Sequence, residues 1–116
     1  MKIMLVDDNL LTRSMIKDLL GEMGHQVVGE AENGDEAIKL YPELKPELVL
    51  LDMIMPGKTG LETLKEIKTQ DPAAKVVMVT AVQQEELERQ LLESGAAAIL
   101  HKPFMYKELE EVLKTF

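Results

Sequence analysis

The stretch KIMLVDDN, residues 2–9, runs from an unbroken apolar block straight into two adjacent carboxylates, Asp7 and Asp8. A strand with one wet face alternates apolar and polar residues, so a continuous apolar block marks a strand covered on both faces. Residues 26–31 (QVVGEA, around its paired valines), 48–51 (LVLL), 76–79 (VVMV) and 97–100 (AAIL) have the same character. Between the blocks, apolar residues recur at three-and-four spacing, the period of a helix with one buried stripe. The stripes are Met15, Ile16, Leu19, Leu20 and Met23; Ala37, Leu40, Tyr41 and Leu44; Leu61, Leu64 and Ile67; Leu87, Leu91 and Leu92; and Leu109, Val112, Leu113 and Phe116. Gly24 and Gly95 sit where helices should stop, and Pro72 closely follows the third. Asn33-Gly34 would ordinarily suggest a hairpin, but a helical stripe follows it, so it reads as a strand-to-helix turn. The pattern predicts five βα units: an α/β fold with a doubly wound, five-stranded parallel sheet and helices on both faces.

A chain of 116 residues, 46% of them apolar, has the size of one domain with a single core, spanning 1–116. Cysteine is absent, which closes disulfide frameworks and thiolate metal sites. The net charge of −8 argues against nonspecific binding to nucleic acid or anionic membranes, both of which need clustered Lys and Arg. No apolar run approaches the ~20 residues that span a bilayer, and no signal-type segment opens the chain. The expectation is a cytoplasmic protein that contacts neither nucleic acid nor membrane and favours a cationic partner or a metal.

In an open parallel sheet, ligands bind beyond the carboxyl ends of the strands, near the point where strand order reverses. The chemically informative residues follow the apolar blocks accordingly. Asp7 and Asp8 follow the first, Asp52 the third, Thr80 the fourth and Lys102 the fifth, while Glu30 and Glu32 after the second read as solvated loop. Each has an ordinary reading, since Asp8 and Asn9 can cap a helix, Thr80 can serve a turn and Lys102 can be a surface charge. Their coincidence at one sheet end decides otherwise. Two unshielded carboxylates about 4 Å apart repel by about 4 kcal/mol at an effective dielectric of about 20. Lys102 supplies one compensating charge, and a hard divalent cation would supply the other two that three ionised carboxylates require. Mg²⁺ is the natural candidate: it takes oxygen ligands, needs only one or two carboxylates directly, and keeps waters that a phosphoryl group can replace.

At LVDD (5–8), LLDMIMPGKTG (50–60), VVMVTA (76–81) and HKPF (101–104), the sequence resembles the receiver domains of bacterial two-component response regulators, of the single-domain type used in chemotaxis and phosphorelays. The resemblance covers the whole chain. It implies a flavodoxin-like sheet of order 2-1-3-4-5, Asp52 as phosphoacceptor, and Mg²⁺ held by Asp8, Asp52 and the main-chain carbonyl of Ile54, with Asp7 acting mainly through a metal-bound water. It further implies that Thr80 and Lys102 hold the phosphoryl oxygens, that Gly60 is the family's loop glycine, and that the Lys102-Pro103 bond is cis. The implied function is to take a phosphoryl group from a phosphohistidine of a sensor histidine kinase or histidine phosphotransfer protein, and to signal to a downstream protein by changing conformation. Such a protein catalyses only its own phosphorylation and dephosphorylation. Phosphoryl transfer needs alignment and charge stabilisation, so a carboxylate nucleophile beside a metal and a lysine suffices without a general base.

The sequence departs from that family at three positions. Ile99 stands where many relatives carry Tyr or Phe, so an aromatic rotamer switch coupled to Thr80 cannot operate in its usual form, which tilts the expectation from a motor-binding switch toward a phosphorelay carrier. Ile54 and Val82, two beyond Asp52 and Thr80, replace side chains that are often polar or longer in relatives and help set the phosphoryl lifetime. His101, with no partner acid or base evident, reads as an exposed or packing histidine, and QQEELERQLLES (83–94) as a solvated amphipathic helix. Three other classes are weighed against the receiver. A pseudo-receiver that binds partners without phosphorylation is disfavoured by the intact set of acids, Thr80 and Lys102. A flavodoxin-type redox domain lacks a hydroxyl- or glycine-rich phosphate loop after the first strand. A metal-dependent aspartyl phosphatase would need an acid at position 54.

Overall fold

The computed structural model describes residues 1–116 and alternates strand with helix throughout: β1 (Lys2–Val6), α1 (Leu10–Glu22), β2 (Gln26–Ala31), α2 (Gly34–Leu44), β3 (Leu48–Asp52), α3 (Gly60–Gln70), β4 (Val76–Thr80), α4 (Glu85–Glu93), β5 (Ala98–His101) and α5 (Tyr106–Leu113). The strands form one sheet in the order β2-β1-β3-β4-β5, and every pairing is parallel. This is the doubly wound parallel sheet that the sequence pattern predicts, in the flavodoxin-like order that the resemblance implies.

The period-2 geometry of a strand divides the continuous apolar blocks between two cores. Met4, Val6, Val49, Leu51, Val76 and Met78 point to one face, where α2, α3 and α4 cover them with residues such as Tyr41, Leu64, Ile67 and Leu91. Ile3, Leu5, Leu48, Leu50, Val77 and Val79 point to the other, under Ile16 and Leu20 of α1 and Leu109 and Leu113 of α5. The central strands β3 and β4 are buried at every position, whereas the edge strands β2 and β5 are mostly only partly buried. Two expectations fail here. Met15 and Leu92 are 54% and 53% exposed, because each neighbours a buried residue, Ile16 or Leu91, and successive helical side chains point about 100° apart.

The helix ends follow local chemistry. Asn9, not Asp8, caps α1 by accepting from the Thr12 N–H at 3.0 Å, which leaves Asp8 uncommitted. Asn33 caps α2 in the same way, so Asn33-Gly34 is a strand-to-helix turn, and Thr59 forms a reciprocal capping box with Glu62 on α3. Gly24 and Gly95, with φ of 86° and 105°, terminate α1 and α4 in the left-handed region that glycine adopts without strain.

Strand β1 lies between β2 and β3, so the chain reverses its direction of sheet growth after β2, and the crevice this opens lies beyond the carboxyl ends of β1 and β3. Val6 is in register with Leu51, which places Asp7 and Asp52 side by side. The loop from β3 to α3 is pressed against this point. The Gly60 N–H donates to the Met53 carbonyl at 2.8 Å, and a Cβ on Gly60 would lie 2.5 Å from the Asp52 carbonyl oxygen and 2.6 Å from Met53 Cα. Gly60→Ala is therefore expected to cost about 1–3 kcal/mol in urea unfolding by forcing backbone apart. Gly21→Ala, where α1 leaves open space, is expected to gain up to about 1 kcal/mol.

Candidate functional site

Each site residue sits where a strand ends and is still held by the sheet. The Asp7 N–H donates to the Ala31 carbonyl at 3.1 Å, Met53 N–H to Val79 at 3.0 Å, and Lys102 N–H to Thr80 at 2.8 Å. Strands β3 and β4 run one residue further than their apolar blocks, so Asp52 and Thr80 are last strand residues rather than first loop residues, and β5 is shifted one residue toward the carboxyl end. Asp7, Asp8 and Asp52 can each offer a carboxylate oxygen within 4.8 Å of the others. Lys102 reaches across them, its ammonium donating to Asp7 Oδ2 at 3.2 Å and to Asp52 Oδ1 at 3.3 Å. The Lys102-Pro103 peptide is cis. Asp7 Oδ1 accepts from the Asn9 N–H at 2.8 Å, so both oxygens of Asp7 are engaged. Thr80 is buried, and its hydroxyl oxygen accepts from the Val82 N–H at 3.0 Å, which leaves the hydroxyl proton free to donate. Ile54 presents its side chain to solvent, and Val82 is half-buried.

The electrostatics are those of an under-compensated site. Asp7 and Asp52 are only 4% and 7% exposed, and one ammonium faces three acids. Burial pushes the Asp52 carboxyl up, Lys102 pulls it down and Asp7 pushes it up again; the net value lies above the ordinary one. Burial works against the Lys102 charge, but Asp52 and Asp7 outweigh it and hold the ammonium above its usual value. An all-oxygen donor set with excess negative charge fits a hard divalent cation.

Beside these acids lies a residue that the sequence reading missed. Arg13 on α1 is buried, and its Nη1 donates to the Asp7 carbonyl at 2.6 Å while Nε donates to Glu30 Oε1 at 3.1 Å. The expectation that Glu30 and Glu32 are solvated loop is corrected for Glu30, which lies within β2 and pairs with both Arg13 and Lys17, while Glu32 is in the loop after β2 and exposed, its Oε1 3.8 Å from Arg13. A signal was present, because Arg13 is in helical register with Ile16 and Leu20, and a charge on a buried stripe requires a partner. His101 likewise has an acid beside it, Glu88 Oε1 at 3.2 Å from Nε2, without the alignment of a hydrogen bond.

A family model described as response regulator receiver domain matches residues 3–114. The chemotaxis protein CheY of Listeria monocytogenes is 41% identical over 114 residues, covering 98% of this chain and 96% of that protein. The CheY of Thermotoga maritima is 38% identical over 112 residues, covering 97% and 93%. A crystal structure of the CheX–CheY–BeF₃–Mg²⁺ complex of Borrelia burgdorferi aligns with a TM-score of 0.94 at 29% identity, over 99% of this chain and 88% of that chain.

A carboxyl whose titration is raised by folding stabilises the native state while protonated and loses that contribution as pH rises through the raised value. At neutral pH without a cation, ionised Asp52 therefore works against the fold. Asp52→Asn, which keeps an acceptor for Lys102, should melt above wild type in chelator at pH 7, with the gap closing as pH falls into the carboxyl range. A divalent cation at a hundred times its dissociation constant should stabilise wild type by about 2.7 kcal/mol and the variant by less. Thermal unfolding followed by circular dichroism checks both.

Proposed function

The chain belongs to the response regulator receiver domain family, and from that premise we propose that Asp52 accepts a phosphoryl group from a phosphohistidine of a sensor histidine kinase or histidine phosphotransfer protein in a Mg²⁺-dependent reaction. The observation that carries the reading is the convergence of Asp7, Asp8 and Asp52 within 4.8 Å at the carboxyl end of the sheet, with Lys102 bonded to two of them. Asp52 is favoured as nucleophile by its match to the family's phosphoacceptor; its carboxylate meets Lys102 and the Ile54 main chain, whereas the two oxygens of Asp7 are held by Asn9 and Lys102. Asp8 is exposed with no hydrogen-bond or ion-pair partner, which suits a direct ligand; Asp7 would act through a water, and the Ile54 carbonyl would complete the set with Asp52. When bound, Mg²⁺ supplies charge neutralisation and orientation for the phosphoryl oxygens.

An Asp52 carboxylate oxygen attacks phosphorus as the donor's P–N bond breaks, and the imidazole leaves with the electron pair. No proton has to be removed from the nucleophile, since it is already a carboxylate. The product carries about one more negative charge than the carboxylate it replaces, so Lys102 shifts from Asp52 to a phosphoryl oxygen and the Thr80 hydroxyl turns to donate its proton there. Thr80 stands at the end of β4, directly before the segment leading to α4, so its movement carries the signal toward a downstream protein partner. Ile99, packed against the core face shared by α2, α3 and α4, offers no aromatic ring to that movement, which favours a phosphoryl carrier in the cytoplasm over a ring-switched regulator.

Acetyl phosphate or phosphoramidate is expected to modify Asp52 only with Mg²⁺ present, and Asp52→Asn to remove the site. Equal modification in chelator by mass spectrometry would overturn the Mg²⁺ dependence, and no modification with or without Mg²⁺ would return the chain to a protein-binding module without phosphorylation. The second expectation concerns lifetime. Ile54 and Val82 line the approach with branched apolar groups that cannot hydrogen-bond an attacking water, so self-dephosphorylation should be slow for a receiver. Ile54→Asn or Val82→Gln should speed first-order decay by about tenfold at most, the effect of roughly one hydrogen bond. Decay of the wild type within seconds, or no acceleration in either variant, contradicts this account.

A further inference from the structure

Arg13 is the one basic side chain that the fold buries, at 6% exposure. Its surroundings show that it does not serve to neutralise the acids of the site. Glu30 and Glu32 balance Arg13 and Lys17 within their own cluster. The hydrogen bond of 2.6 Å from Nη1 instead goes to the carbonyl of Asp7, and that carbonyl belongs to the peptide unit joining Asp7 to Asp8. A peptide unit is planar, so fixing its C=O fixes the orientation of the bonds leading to both α-carbons. A second observation lies directly behind. Arg13, Asp7 and Asp52 share the lining of a small cavity of about 10 Å³ with Leu5, Leu50 and Val79, room for one water at most. Little solvent therefore reaches that carbonyl while the guanidinium is in place, and losing it would leave the acceptor to an entering water or to a shift of the turn.

We propose that Arg13 is a positioning residue for the cation site: by clamping the peptide between Asp7 and Asp8, with Glu30 holding its other edge, it aims both carboxylates toward Asp52. The inference rests on the reading of the three acids as a Mg²⁺ site. A charge effect and a positioning effect have opposite signatures. If the guanidinium acted only through its charge, Arg13→Gln would bind Mg²⁺ more tightly and Arg13→Lys would match wild type. Positioning predicts that both bind about tenfold more weakly, in line with the loss of an outer partner of a metal ligand, because a single ammonium cannot reach the Asp7 carbonyl and Glu30 together.

The experiment is titration of the unphosphorylated protein with Mg²⁺ by calorimetry, together with the thermal midpoint of each variant in chelator. Glu30→Asp keeps the charge of a side chain that is only partly buried but shortens its reach to Arg13, and should weaken Mg²⁺ by about threefold, a fraction of the loss expected at Arg13 itself; it carries the test should an Arg13 variant not fold. A lowered midpoint with unchanged Mg²⁺ affinity would mean that Arg13 only supports the fold, and would overturn the proposal, as would unchanged or tighter binding in both Arg13→Lys and Glu30→Asp. If wild type binds no Mg²⁺, the metal reading falls as well; if wild type binds and the variants match it, only the role of Arg13 falls.

Discussion

The structure turns on keeping like charges together where water cannot screen them. Asp7 and Asp52 are adjacent because their strands are in register, and both are buried because the same strands form the middle of the sheet. The hydrophobic fit of β1 and β3 between two layers of helices thus imposes the electrostatic problem that the rest of the molecule answers. Lys102 answers part of it from just past β5, and the acids retain an excess of negative charge. That remainder is what makes the site receptive to a cation and then to a phosphoryl group.

The division of labour between the two faces follows from the same sheet. On one side, α1 and α5 close over the alternate strand residues and α1 brings Arg13 beneath the acids. On the other, α2, α3 and α4 form the larger core, and the loop from β3 passes so close to Asp52 that only glycine fits at position 60. The acids are therefore fixed by main-chain contacts from both directions, while Asp8 and Ile54 remain exposed at the rim. Rigid donors under an open rim let small groups enter without rearranging the sheet.

Much of this was legible in the sequence for a simple reason. Continuous apolar blocks are the direct consequence of a strand buried on two faces, and the residue that ends such a block must lie at the sheet's end, so Asp7, Asp52, Thr80 and Lys102 could be placed together before any coordinates. The misplaced strand ends arose because a buried aspartate or threonine extends the ladder without extending the apolar run. Met15 and Leu92 were misread because a stripe written as neighbouring apolar residues is wider than the helix surface that can be covered. Arg13 was missed because its meaning depends on Glu30, which is 17 residues away and on another element. A pairing across elements leaves no local pattern, only the anomaly of a charge in an apolar register.

The reach of Lys102 has a consequence for how the molecule is made. Its two partners lie 95 and 50 residues earlier in the chain, and the β5 strand that it directly follows pairs only with β4, at the edge of the sheet. While the polypeptide is being synthesised, the acids emerge well before their counter-charge, and a chain arrested short of β5 would hold them with no lysine among them. The last strand to arrive is thus the one that makes the earlier carboxylates tolerable, so that the chemistry of the site and the completion of the sheet become the same event.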